Sequence, residues 1–148
     1  MSFKYRLERV LNLREQELDK VKAKFQEAAS NIQKVQTKIQ QNKLDQAHLQ
    51  ADLSKGVSGA LVAIYANRAN YLKNRHETLE QELIQAKEQL EIVKQELLEA
   101  QQKMEALTKH KKKQKAEYEK AELKQEENML NELALIMRRM KEDENAQE

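Results

Sequence analysis

The chain has 148 residues, of which 39% are hydrophobic and 35% charged, with two glycines and no proline, cysteine or tryptophan. So few turn formers and so little aromatic mass exclude β and α/β folds and leave a helical rod or a solvated chain, while the missing cysteines exclude disulfides, thiol nucleophiles and thiolate metal sites. Basic and acidic side chains nearly cancel to a formal +2, so no strong overall field draws the molecule to nucleic acid or to a membrane.

The opening residues Met1 to Arg9 are interspersed with charge and lack the apolar run of a signal peptide. No stretch is apolar enough to span a bilayer, so the expectation is a soluble, cytoplasmic protein without direct membrane insertion. From Leu7, alternating steps of four and three residues pass through Leu11, Arg14, Leu18, Val21, Phe25, Ala28, Ile32, Val35, Ile39, Asn42, Gln46, Leu49 and Leu53. This is the seam of a left-handed coiled coil, interrupted only at Arg14, Asn42 and Gln46. It predicts a first helix over about 3–54.

A turn is expected over 55–58, because Ser54-Lys55-Gly56-Val57-Ser58-Gly59 gathers the helix-weak residues. Gly56 suits the left-handed position past a helix end, and Ser58 suits a cap. A second seam then passes through Tyr65, Ala69, Leu72, His76, Leu79, Leu83, Ala86, Leu90, Val93, Leu97, Ala100, Met104 and Leu107, and predicts a second helix over about 58–141 with a frayed tail at 142–148. A connection this short makes the helices antiparallel neighbours. The expected fold is all-α: one coiled-coil domain over 1–148, a monomeric hairpin whose second helix overhangs the first. Two alignments remain open, one facing Asn42 with His76 and the other centring the turn on Gly56 and facing His76 with Val35. Beyond Leu107 come a lysine-rich run from Lys109 to Lys115 and an apolar cluster of Met129, Leu130, Leu133, Ala134, Ile136, Met137 and Met140 that has no partner within the hairpin.

No catalytic constellation is present. His48, His76 and His110 lie far apart, and no second histidine follows His76-Glu77 at zinc-site spacing. Neither glycine opens a phosphate-binding loop. The reading is therefore a non-enzymatic protein with no catalytic, cofactor-binding or metal-binding residues. His76, Asn42 and Gln46 read as polar layers that fix alignment. The lysine run lacks interleaved aromatics and is flanked by Glu117, Glu119 and Glu122, so it reads as a solvated or protein-facing patch rather than a nucleic-acid site. The terminal cluster forms an apolar face wider than a simple seam and rich in methionine, which suits an adaptable protein-docking surface.

The stretch Phe3-Lys4-Tyr5-Arg6-Leu7-Glu8-Arg9-Val10-Leu11-Asn12-Leu13-Arg14-Glu15 resembles the opening of FliJ-type flagellar export proteins. That family tends to begin with an aromatic-basic-aromatic-Arg-Leu segment followed by Val or Leu pairs and Leu-Arg-Glu. Residues Glu126 to Ala134 are similar to the family's acidic tail motif, with Asn131 where an aspartate is usual. The resemblance implies a soluble component of the flagellar type III export apparatus, built like the central stalk of a rotary ATPase. Its partners would be the hexameric export ATPase, whose ring it helps to assemble, the export gate membrane protein and export chaperones, at the cytoplasmic face of the inner membrane. It places ATPase contacts at Lys4, Arg6, Arg9, Leu130, Leu133, Met137 and Arg138, and gate contacts at Tyr65, Arg68, Tyr71 and Arg75. Arg68 and Arg75 stand where the family often has aromatic or apolar residues. Two other readings are a coiled-coil scaffold that dimerises through its tail and the equivalent stalk of a virulence-type secretion system.

Overall fold

The computed structural model describes residues 2–147. They form two helices and no strand: α1 spans Glu8–Ser54 and the longer α2 spans Gly59–Ala146, packed against each other. The all-α hairpin expected from the seams is the fold found. It packs as two compact units, Gln16–Gln102 and the pair of segments Met1–Glu15 and Lys103–Glu148.

The Gln16–Gln102 unit holds the turn and the regular part of the coiled coil. α1 stops at Ser54, whose hydroxyl donates to the carbonyls of Gln50 and Ala51 at 2.7 and 3.2 Å. Gly56 follows at φ +91°, a conformation that side chains with a Cβ resist, and its N–H reaches the Leu53 carbonyl at 3.2 Å. The Ser58 carbonyl accepts the Leu61 N–H at 2.9 Å and opens α2. Within this unit the seam residues of both helices are buried or half-buried, except Leu53 and Ala69 close to the turn. Ala28, Leu72, Leu79 and Val93 are the deepest apolar side chains.

Asn42 is also buried, only 4% exposed, and its amide donates to the backbone carbonyl of Leu72 at 3.1 Å. A carbonyl has two lone pairs, so this one can serve Asn42 in addition to its own helix. Asn42 thus takes no side-chain hydrogen bond from His76, the partner that one of the two alignments offered. His76 turns its Nε2 to Glu80 on its own helix, at 2.9 Å, and its buried Nδ1 has no hydrogen-bond partner among the described residues.

In the other unit, α1 begins at Glu8 rather than at residue 3. Residues 2–5 lie outside any helix or strand, and the Glu8 N–H closes a turn on the Tyr5 carbonyl at 3.2 Å. From this non-helical segment Phe3 and Tyr5 reach Tyr118 and His110 on α2. At the far end, residues 142–146 are helical rather than frayed. The acidic run Glu142-Asp143-Glu144 opposes the helix dipole, yet its backbone bonds persist as far as Gln147 N–H to the Asp143 carbonyl at 3.2 Å.

Candidate functional site

The N-terminal segment is fastened to α2 by aromatic and charged contacts. The Tyr5 hydroxyl lies 2.6 Å from His110 Nδ1, with the rings tilted and their centroids 5.6 Å apart. With the imidazole proton on Nε2, the phenol donates to Nδ1. Phe3 meets the ring of Tyr118 at 5.5 Å, and the Tyr118 hydroxyl donates to the Glu122 carboxylate at 2.8 Å. That hydrogen bond, followed by desolvation and the negative charge of Glu122, raises the Tyr118 pKa above the ordinary phenol value. Lys111 closes the set, with Nζ 3.0 and 3.3 Å from the two carboxylate oxygens of Glu8.

Sequence reasoning missed this clasp. The second seam does not end at Leu107: the same steps continue through Lys111, Gln114 and Tyr118, of which Lys111 and Tyr118 are half-buried and Gln114 shares a groove with Phe3. Its positions persist after its hydrophobicity has gone. One lysine of the run from Lys109 to Lys115 is thereby engaged in an intramolecular ion pair.

The expected ATPase-contact residues fall on two separate stretches of this unit. Lys4, Arg6 and Arg9 are exposed on and just after the clasped segment. Leu130, Leu133, Met137 and Arg138 are exposed farther along α2. Leu130 lies twelve residues past Tyr118, or about 18 Å at 1.5 Å per residue, so the structure does not bring the cations and the apolar face together. From Leu123 to Gln147 every residue is exposed, and the large apolar side chains of the cluster range from 50% for Ile136 to 70% for Met137. An apolar face this accessible is not part of the core.

The expected gate-contact residues do come together. They lie within three turns of α2 in the Gln16–Gln102 unit, and all line grooves against the end of α1. Tyr65 and Arg68 share one with Asp45, His48, Leu49, Asp52 and Ile64. Arg68, Tyr71 and Arg75 share the next with Lys38, Gln41, Asn42 and Asp45. The Arg68 guanidinium sits 5.7 Å from the centre of the Tyr71 ring, an i, i+3 cation–π contact that sets both side chains side by side. Tyr71 stays exposed, whereas Tyr65 and Arg75 are half-buried.

Among the described residues no helix is long and apolar enough to cross a membrane, and no three His, Asp or Glu side chains group as a metal site. What these surfaces offer is contact area with adjoining charge. A family model described as flagellar FliJ protein matches residues 3–142, which takes in the clasp, the turn and most of the exposed tail. No curated protein and no solved structure matches the chain.

Proposed function

The chain belongs to the flagellar FliJ family, whose members are structural components of the flagellar export apparatus, and from that premise we propose that it is the stalk that engages the export ATPase ring. The observation that carries the proposal is the apolar face of α2 from Met129 to Met140, exposed throughout. Leu130, Leu133 and Met137 supply the burial, with Arg138 beside them. Lys4, Arg6 and Arg9 form a second, cationic surface that steers association. Their separation along α2 calls for a partner that touches the molecule at two levels, as the inside of a ring does.

The protein hydrolyses nothing in this scheme. A ligand that binds the assembled ring better than loose subunits increases the assembled population by linkage. Tyr65, Arg68, Tyr71 and Arg75, gathered near the turn, contact the export gate, and empty export chaperones are further cargo. The protein works in the cytoplasm and is recruited to the inner membrane at the flagellar base.

The test is the activity of the cognate export ATPase against increasing amounts of this protein. Stimulation that is lost in the Leu133→Asp, Met137→Asp double variant supports the reading. No stimulation by the wild-type chain overturns it.

A further inference from the structure

We propose that the exposed end of α2 also pairs, antiparallel, with the same segment of a second copy of this chain. The argument rests on how its side chains distribute around the helix. Met129, Leu133, Ile136 and Met140 follow steps of four, three and four residues, which makes them a coiled-coil seam. Leu130 and Met137 lie along one flank of that seam, and Glu132 and Arg139 along the other. All are exposed.

An antiparallel partner places like flanks together. In the alignment centred between Ala134 and Leu135, Leu133 faces Ile136 of the second copy and Met129 faces its Met140. Leu130 then lies beside Met137 of the second copy, so the apolar flank is covered as well. On the opposite flank Glu132 meets Arg139 of the second copy, and two-fold symmetry makes every one of these contacts twice. Shifting the alignment by one heptad sets Glu132 against its own copy. A parallel pairing sets Leu130 and Met137 against Gln125 and Glu132. Charge and apolar pattern together select the antiparallel, centred arrangement. Glu126 facing Asp143 at each end limits the overlap to roughly 27 Å of helix, which makes the pairing weak and reversible.

This face is the one assigned above to the ATPase, so on that reading a paired tail is withheld from the ring until the ring competes for it. The pairing itself needs no ATPase and is tested without it. The chain contains no cysteine, so single cysteines report cleanly on the full-length protein. The expected result is that Met129→Cys and Met140→Cys, mixed and mildly oxidised, form a mixed disulfide while neither links to itself. In sedimentation equilibrium the wild-type chain shows a concentration-dependent dimer that Leu133→Asp abolishes. Glu132→Arg weakens it roughly tenfold, and adding Arg139→Glu restores it. A wild-type chain that stays monomeric at high concentration, variants that each link to themselves, or a double variant that fails to recover overturns the pairing. None of those results touches ATPase stimulation, so the two proposals fail separately.

Discussion

Gly56 is the residue where backbone geometry alone decides what is tolerated. At φ +91° an added Cβ would meet no atom within 4 Å, so Gly56→Ala meets no steric clash and pays only for the left-handed backbone. The expected loss is about 1 kcal/mol by urea unfolding. Leu79, with no exposed surface, is the contrasting case. Leu79→Ala leaves a cavity between two well-packed helices and should cost about 3 kcal/mol by the same measurement. Tyr118 gives a pH-dependent prediction. Its raised pKa means that the folded state holds the phenol proton more tightly than the unfolded chain. The Glu122 contact therefore contributes fully below the ordinary phenol pKa of about 10, and that contribution disappears as pH rises through the raised value. Tyr118→Phe should remove a late, high-pH component from a phenolate absorbance titration and flatten stability against pH in the alkaline range.

The helices themselves were legible in the sequence, and the start of α1 was not, for a physical reason. A coiled-coil seam repeats, so each heptad confirms the one before, and the turn announces itself through Gly56 and its neighbours. The segment 2–5 is non-helical and short, with no period to read. Its contacts join residues 105 apart, from Tyr5 to His110, and predicting them requires the helix alignment first. The Asn42 bond that ties the two helices goes to a backbone carbonyl, which no residue pattern encodes. The clasp makes its own prediction. Tyr5→Ala removes a buried ring and a short hydrogen bond, and should cost about 2 kcal/mol. Amide hydrogen exchange should then quicken at Glu8 to Leu11, the first turn that the clasp secures, and stay unchanged around Leu79.

At the scale of the whole molecule, the most deeply buried side chains and the exposed apolar tail of α2 are different residues. The residues near the turn were named through the family resemblance, and the contact between Arg68 and Tyr71 follows from their standing three apart on one helix. The unpartnered tail was readable because α1 is too short to cover it. What the sequence could not show is that the cations of the N-terminal segment are held well short of the apolar face, since that distance follows from the clasp. Substituting Leu133 and Met137 by Asp should leave the thermal midpoint within a degree or two, because neither side chain packs within the fold. The same change should abolish ATPase stimulation. A variant that lost both together would show that the tail contributes to folding.

The clasp also bears on how the chain acquires its structure. Phe3 and Tyr5 leave the ribosome well before their partners His110 and Tyr118 on α2. Until then the whole apolar seam of α1 has nothing to pack against, and closure starts at the turn, where the contacts span the fewest residues. Pairing then runs outward, and Phe3 and Tyr5 are fastened last. A chain truncated before His110 should therefore form the turn-proximal coiled coil and leave its own N-terminus loose.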